Sequence, residues 1–439
     1  MKRKLITILT IGLLSQVAFA QDFDRTKLDN YFETLEINNR FMGSVAVSKD
    51  GKIIYTKAIG YSDFEKNIKA NENSKYRIGS ISKTFTAVLV LKGVEMNKIN
   101  LTQTIDKYFP SINNASKITI VDLLYHRSGI HNFTNDKEYL TWHTRAKTEK
   151  EMIEIIAKAG SDFEPNSKAD YSNSNFVLLT YILEKTFKKT YSDLLTEYIT
   201  KPIGLTNTCL GGKINPNNNE CYSYRFIENW KLEPETDISI PLGAGGIIST
   251  PGDLVKFSDA LFAGKIIQKE SIDKMKTIKD NYGIGLFQFT FDNKIASGHT
   301  GGIDGFSSTF SYFSDEKISY ALISNGTNFN NNNISIVVLS AIFGKPFAIP
   351  EFITLDLSAE DLDKYLGVYA SLQIPLKITI TKDNKTLIAQ ATGQSAFPLE
   401  ATEKDKFKFD QAGVVMEFNP TENTLILKQS GGQFKFLKE

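Results

Sequence analysis

The order of strand-like and helix-like patterns restricts the fold of this chain more than any other feature. Two apolar runs flank the turn residues Asp50 and Gly51, which predicts an early hairpin at residues 44–55. Residues 148–159 and 173–188 then carry apolar side chains at helical spacing. Strand-like segments return at residues 282–291, 296–299, 307–313 and 318–324. This order predicts an α+β fold, an antiparallel sheet flanked by helices with an all-helical subdomain.

The pattern changes in the last part of the chain. From about residue 362, short alternating strands are separated by turns; Phe407 and Phe409, for example, alternate with lysines. We predict a small all-β, barrel-like domain at 362–439. A proline-bearing linker at 346–361 would separate it from a first domain at 21–345.

The N-terminus has the pattern of a cleavable export signal. Basic residues at positions 2–4 precede an apolar run at 5–14 and the small-residue site Ala18-Phe19-Ala20. The run is too short for a membrane-spanning helix, which needs about 20 residues. We therefore predict a signal peptide at 1–20, no membrane span, and a periplasmic or secreted protein.

Composition narrows the set of partners. The formal charge of +1 falls by three, to −2, if the signal is removed, which gives no reason to expect nucleic acid. His126, His131 and His143 lack the spacing of metal ligands, and we expect no metal and no cofactor. Oligomeric state stays open. In an oxidising compartment, Cys209 and Cys221 would either form a disulfide or remain two free, partly buried thiols.

A Ser-x-x-Lys sequence at the start of an apolar helical run is the first candidate for chemistry. On a helix, residues three apart share a face, so Lys83 would stand beside Ser80. A serine hydroxyl becomes a useful nucleophile when a neighbouring base takes its proton. The spacing alone is weak, because it recurs at Ser271 and Ser314.

Two further short motifs could complete such a site. Tyr171-Ser172-Asn173 lies between a turn and a predicted helix, so Tyr171 could reach a cleft and Asn173 could hold a substrate carbonyl; packing and helix capping are the structural alternatives. The second motif, residues 299–302, reads His-Thr-Gly-Gly. Glycine permits close approach of a substrate to backbone N–H groups, although a plain hairpin with a bulge would have the same sequence.

In this order, the three motifs resemble those of the penicillin-recognising serine hydrolases: class C β-lactamases, DD-peptidases, D-aminopeptidases and related esterases. Supporting segments are Tyr76-Arg77-Ile78-Gly79-Ser80, Leu123-Leu124-Tyr125-His126-Arg127-Ser128-Gly129 and Gly243-Ala244-Gly245-Gly246. The resemblance covers roughly residues 24–344. The final segment resembles the lipocalin-like domain that many members carry.

The resemblance implies a role for each matched residue. Ser80 would be the acylated nucleophile, and Lys83 and Tyr171 would share proton transfer. Backbone N–H groups of Ser80 and Gly302 would form the oxyanion hole. Asn173 would hold the substrate amide, and the site would be lined by the motif residues His299, Thr300 and Gly301.

The resemblance leaves the substrate open. Peptide amides with D-residues of cell-wall type come first, esters second and β-lactams third. A protein of another class, a sensor that acylates without turnover, is the rival. Class C β-lactamases typically have lysine at position 299, where this chain has histidine, which would carry a charge mainly below about pH 6.5. No arginine follows Arg225, so we expect no guanidinium from the strands around His299 for a substrate carboxylate.

Overall fold

The computed structural model of this protein describes residues 23–439 except 228, 353–354, 395 and 430. The predicted signal peptide therefore lies outside the described residues. The α-helices are α1 (Arg25–Ile37), α2 (Ser82–Glu95), α3 (Ile120–Leu124), α4 (Tyr139–Trp142), α5 (Glu149–Ala159), α6 (Asn173–Phe187), α7 (Tyr191–Leu195), α8 (Lys201–Ile203), α9 (Pro251–Phe262), α10 (Lys269–Lys276) and α11 (Asn331–Ile342).

The strands fall into a first region and a C-terminal region. In the first they are β1 (Phe41–Lys49), β2 (Lys52–Ile59), β3 (Tyr61–Asp63), β4 (Ile68–Lys69), β5 (Tyr76–Arg77), β6 (Cys209–Leu210), β7 (Tyr224–Ile227), β8 (Asn229–Leu232), β9 (Ile247–Ser249), β10 (Phe287–Phe291), β11 (Lys294–Ile303), β12 (Phe306–Phe313) and β13 (Ile318–Thr327). The second contains β14 (Gly367–Ser371), β15 (Lys377–Asp383), β16 (Thr386–Ala391), β17 (Phe397–Glu403), β18 (Lys406–Phe409), β19 (Val414–Asn419), β20 (Thr424–Gln429) and β21 (Gly432–Lys438).

The main sheet has six antiparallel strands in the order β10-β11-β12-β13-β1-β2. The predicted α+β fold is confirmed. The early hairpin is also present: Asp50 and Gly51 join β1 to β2 with φ of 52° and 75°. Both values lie in the left-handed region, which suits the twist of a two-residue hairpin.

The strand predicted at residues 282–291 is shorter than expected. Only its second half forms β10, because the first half packs as a loop on α2. Gly285 has a φ of 65°, and a Cβ there would lie 2.8 Å from the Lys83 carbonyl oxygen. The Thr84 hydroxyl also donates to the Gly285 carbonyl at 2.7 Å. Contact with the helix therefore overrides the local strand preference.

Helix α2 runs through the centre of the larger hydrophobic core. From Ser82 to Leu91 every residue of α2 is buried, so the helix has no solvent-facing stripe on that stretch. Phe85 stacks on Phe257 of α9 with ring centroids 3.8 Å apart. The helix that carries the Ser-x-x-Lys motif is thus fixed on all sides. Helices α1 and α11 cover the opposite face of the sheet around a second core.

Strands β14–β21 form a closed antiparallel barrel. Phe407 points into its core, as the alternation with lysines predicts. The barrel contacts the first region through Arg40, whose guanidinium binds both carboxylate oxygens of Glu400. Arg40 is only 5 % exposed, so this ion pair is largely shielded from solvent.

The candidate disulfide is not formed. Cys209 and Cys221 are free, the first exposed and the second buried, so the free-thiol alternative is the one found. Cys209 lies in β6, which pairs with β9, and β9 in turn pairs with β5. Cys221 lies on the side of β5 away from β9, where its N–H donates to the carbonyl of Lys75, the residue just before β5. Two strands therefore separate the cysteines, which is too far for a disulfide.

Within the described part of the chain, no helix has the length and apolar character needed to cross a membrane.

Candidate active site

Ser80 lies in a short 3-10 turn, Gly79–Ile81, between β5 and α2. Lys83 follows one turn later, and its Nζ is 3.0 Å from the Ser80 Oγ. The other two Ser-x-x-Lys copies lack this pairing: the Ser271 hydroxyl donates to Glu95 instead, and Ser314 is exposed in the turn between β12 and β13. The structure therefore brings a hydroxyl and an amine together only at the first copy.

Lys83 is fully buried among oxygen acceptors. Its Nζ donates to the Asn173 Oδ1 and to the Ala244 carbonyl oxygen, each at 2.7 Å. None of its three hydrogen-bond partners is a carboxylate. Burial without a counter-ion disfavours the charged form, so the pKa of Lys83 is well below its usual value.

The Ala244 carbonyl is held by a glycine turn whose role the sequence did not reveal. Gly243 donates its N–H to the Thr180 hydroxyl at 3.2 Å and accepts from the Thr86 hydroxyl at 2.7 Å. A Cβ at position 243 would lie 2.4 Å from Thr180 Oγ1 and 2.5 Å from Thr86 Oγ1. Only glycine fits between these hydroxyls. The glycine-rich sequence Gly-Ala-Gly-Gly at 243–246 was the only feature of the sequence that pointed to this turn.

Tyr171 and Asn173 reach the site from the start of α6. The Lys83 Nζ lies 4.9 Å from the centroid of the Tyr171 ring. Burial raises the pKa of Tyr171, and the neighbouring Ser80 hydroxyl opposes part of that rise. The Asn173 amide nitrogen donates to Thr134 Oγ1 at 3.0 Å while its oxygen accepts from Lys83. Asn173 therefore orients the lysine, and its second amide N–H has no partner among the described residues.

The end of β11 closes the other side of the site. Strand β10 pairs with β11 only as far as Gly298, which leaves the edge of β11 open beyond that point. Ile303 faces Phe306 across a two-residue turn, so by antiparallel alternation the N–H of Gly302 points to the open edge. That edge lies against Ser80: a Cβ on Gly79 would be 2.7 Å from the Gly302 nitrogen.

The sequence also matches a known protein family over most of the first region. The family model for Beta-lactamase matches residues 28–341, which is more than half of the chain. The chain belongs to the β-lactamase family. Its members and relatives are serine hydrolases, and the chain is an enzyme of this class.

Proteins similar to this chain carry different functional names. Penicillin-binding protein 4* of Bacillus subtilis (strain 168) is 25 % identical over 93 % of this chain and 97 % of its own length. Teichoic acid D-alanine hydrolase of Staphylococcus aureus (strain MRSA252) is 28 % identical over 65 % of this chain and 71 % of its own. D-amino acid amidase from Ochrobactrum anthropi SV3, solved with D-phenylalanine, superposes with a TM-score of 0.64 at 25 % identity, over 72 % of this chain and 99 % of its own.

His126, for which the sequence predicted no role at the site, packs against Tyr171. The two rings stack with centroids 4.5 Å apart and an interplanar angle of 30°. The His126 Nδ1 accepts the Ser172 N–H at 3.1 Å, and its carbonyl accepts the Asp170 N–H at 2.9 Å. His126 thus holds the backbone on both sides of Tyr171. Its place in the segment 123–129 was the only sequence signal.

His299 is neutral at neutral pH, as expected for histidine, and it stays neutral well below the pH of about 6.5 at which an unperturbed histidine becomes charged. Its Nδ1–H donates to the Thr300 carbonyl at 2.6 Å. Burial, and then the nearby Lys83, lower the pKa of His299 to about 3. Because Nδ1 carries the proton, Nε2 is an acceptor with a free lone pair. A histidine in this state cannot attract a carboxylate.

None of the arginines in the described part of the chain is bonded to a residue at which chemistry is predicted. Each has a partner elsewhere: Arg25 with the Ile54 carbonyl, Arg40 with Glu400, Arg77 with Asp304, Arg127 with Asp280, Arg145 with the Thr141 carbonyl and Arg225 with Glu233. A cavity of about 550 Å³ beneath Thr300 is also lined without a charged side chain; its polar lining includes Ser307, Thr309, Asn331 and Ser335.

Proposed function

We propose that this protein is an exported serine hydrolase that forms an acyl-enzyme on Ser80 and cleaves amide bonds of D-amino-acid-containing substrates. The contact of the Lys83 amine with the Ser80 hydroxyl, in a site that keeps the amine neutral, carries the proposal. The names of two relatives support the substrate class, since one hydrolyses teichoic acid D-alanine and another is a D-amino acid amidase.

Acylation begins with proton transfer to Lys83. As a neutral amine, Lys83 directs two N–H groups at Asn173 and Ala244 and its lone pair at Ser80. It takes the hydroxyl proton as Oγ attacks the substrate carbonyl carbon. The carbonyl oxygen becomes an oxyanion that accepts hydrogen bonds from the backbone N–H groups of Ser80 and Gly302.

Tyr171 completes the proton transfer. Its raised pKa keeps the phenol protonated, so Tyr171 donates to the departing nitrogen and regains a proton from the Lys83 ammonium. The carbon–nitrogen bond breaks and the amine leaves. Water then attacks the ester carbonyl on Ser80 while Lys83 takes a proton from it. As the bond between the carbonyl carbon and Oγ breaks, the Lys83 ammonium returns that proton to Oγ, which restores Ser80 and releases the acid product.

Ser80→Ala is expected to abolish covalent labelling by a fluorophosphonate or a labelled penicillin while the fold stays intact. The substitution removes the only atom that forms the acyl bond. Intact-protein mass spectrometry measures the adduct, and circular dichroism the fold. Ser271→Ala and Ser314→Ala are the matched controls and should label like the wild type. An equal adduct on Ser80→Ala would contradict the proposal.

Chasing the label distinguishes turnover from sensing. An acyl label from a penicillin that leaves the wild-type protein with time indicates hydrolysis of the acyl-enzyme, whereas a permanent acyl label supports the non-turnover sensor; the fluorophosphonate adduct, which is not an acyl ester, is not used in the chase. Esters and β-lactams are then compared with amides as substrates on the same protein.

We expect substrates with an uncharged leaving group to be cleaved at least as well as those ending in a free D-residue. The reason is that no arginine among the described residues is bonded to a residue of the site, and that His299 stays neutral because burial lowers its pKa to about 3. The ratio of kcat/KM for matched amidated and free-acid peptides should therefore not change between about pH 5 and about pH 8. Over this range the pH stays above the lowered pKa of His299, so the imidazole remains uncharged.

The matched variant for this test is His299→Lys. It introduces a permanent cation and should shift the preference toward the free acid. A wild-type preference of about tenfold or more for the free acid, equivalent to about 1.4 kcal/mol of transition-state binding, would contradict the expectation. An increase of that preference below about pH 6.5 would show that His299 titrates normally.

Export and domain organisation complete the proposal. The basic residues, apolar run and Ala18-Phe19-Ala20 site support cleavage near Gln21. N-terminal sequencing of the protein recovered outside the cytoplasm tests this, and an uncut Met1 there would contradict it. We also propose that 346–361 links the hydrolase domain to the C-terminal barrel.

A further inference from the structure

Arg77 is a buried cation close to Ser80 that the proposed mechanism does not use. It lies in β5 and is only 2 % exposed. One terminal nitrogen, Nη1, donates to the Asp304 Oδ2 at 2.8 Å and to the Thr236 carbonyl at 2.7 Å. The other, Nη2, donates to the Gly212 carbonyl at 3.0 Å. The guanidinium is therefore fixed from several directions.

Asp304 is held as firmly as its partner. It lies in the turn between β11 and β12, and its side chain is 2 % exposed. The Asp304 Oδ1 accepts the Thr236 N–H at 3.0 Å and the Thr236 hydroxyl at 2.6 Å. Both carboxylate oxygens are thus bonded: Oδ2 accepts from Arg77, and Oδ1 accepts from Thr236. The carbonyl of Thr236 in turn accepts from Arg77.

The ion pair connects the two chain segments that supply the oxyanion donors. Arg77 comes three residues before Ser80, and Asp304 comes two residues after Gly302. A second link runs parallel to it, since the Ser308 hydroxyl donates to the Ile78 carbonyl at 2.8 Å. We propose that the Arg77–Asp304 pair is a positioning device that fixes the separation of the Ser80 and Gly302 N–H groups, and thereby shapes the oxyanion hole.

Stability alone is a weak explanation for this pair. Replacing a buried ion pair by apolar side chains is often neutral or stabilising, because desolvation offsets the attraction. The Arg77 Nε is moreover buried without a partner in the described residues, which adds an uncompensated cost. The planar guanidinium does, however, fix both the direction and the length of its hydrogen bonds. The N–H groups of Ser80 and Gly302 need such fixed geometry if both are to point at one oxygen atom.

Arg77→Lys and Asp304→Asn test the proposal by two different changes. At position 77, lysine keeps the positive charge but loses the planar guanidinium. At position 304, asparagine keeps the size of the side chain but loses the negative charge. For each we expect kcat to fall about 30-fold or more, with KM within about threefold of wild type. The affinity for phenylboronic acid, which forms a tetrahedral adduct on the serine, should fall by about the same factor as kcat.

Arg40→Lys is the matched control, because Arg40 is also a buried arginine paired with a carboxylate, in this case Glu400. Its kcat and boronic acid affinity should stay within about threefold of wild type. Unchanged kcat and affinity in the Arg77 and Asp304 variants would overturn the proposal. So would an equal loss in Arg40→Lys, or unfolding of the isosteric Asp304→Asn by circular dichroism, since either indicates a general structural role.

This inference rests on the proposed acyl transfer at Ser80, and the two can fail separately. A wild-type protein that is neither labelled nor active would contradict the proposed function. A labelled and active wild type with unaffected Arg77 and Asp304 variants would contradict only the positioning role.

Discussion

Lys83→Arg is expected to lower the rate of acylation by about 10³-fold or more, within the range found for loss of a general base. Arginine is of similar length, but it does not release its proton in proteins and so cannot act as a base. Lys83 can release its proton because burial without a carboxylate partner lowers its pKa well below the usual value. The measurement is the pseudo-first-order rate of labelling by a fluorophosphonate, together with kcat/KM.

The pH dependence of wild-type acylation follows from the same shift. Acylation requires the neutral amine, so the rate should fall as pH decreases through the pKa of Lys83, and burial places that fall at a lower pH than for an ordinary lysine. With an unshifted lysine, the rate would still be rising near about pH 10.4.

Lys92→Arg is the matched control on the same helix. Lys92 donates to the Ile266 carbonyl on another face of α2, and its replacement should leave acylation unchanged. If Lys83→Arg kept more than about a tenth of the wild-type rate, Lys83 would not be the base, and the role would pass to Tyr171.

Gly301→Ala should lower kcat by about 10² to 10³-fold, the loss typical of removing one oxyanion donor. A Cβ at this position would lie 2.1 Å from the Ile78 carbonyl oxygen and 3.0 Å from the Ser80 nitrogen. Both are backbone atoms next to the nucleophile, so relief requires β11 to move away from the Gly79–Ile81 turn. That movement separates the two N–H donors.

Gly302→Ala is the matched comparison one residue further along. A Cβ there meets nothing closer than the Phe306 carbonyl oxygen at 3.9 Å, and the N–H is retained. We expect a loss of about tenfold at most, far smaller than for Gly301→Ala. Steady-state kinetics and the affinity for phenylboronic acid measure both variants. Equal losses would indicate that the space around Gly301 is not what keeps the oxyanion donors in place.

Local sequence patterns were sufficient where the structure depends on neighbouring residues. The Asp50-Gly51 turn specified its hairpin, because two consecutive left-handed residues suit few other structures. Alternation around Phe407 specified a core-facing strand of the barrel. The first half of residues 282–291 was predicted wrongly, since its apolar character is used against α2 rather than in the sheet.

The sequence by itself predicted a lysine amine beside the Ser80 hydroxyl, because a spacing of three on a helix is local geometry. The same spacing at Ser271 makes no such contact, since that hydroxyl donates to Glu95, so only the folded structure selects the copy that forms the pair. The tertiary structure alone decided what that amine can do. Its lowered pKa comes from burial, and the residues that enclose it and orient its N–H groups, Asn173 and Ala244, lie 90 and 161 residues away in the chain.

The same division holds for the other groups around the nucleophile. No local pattern could reveal that His299 is neutral or that Cys209 and Cys221 are separated by two strands. Nor could it pair Arg77 with Asp304, which is 227 residues away. Charge state and pairing are set by desolvation and by contacts between distant segments, and neither exists until the chain has folded.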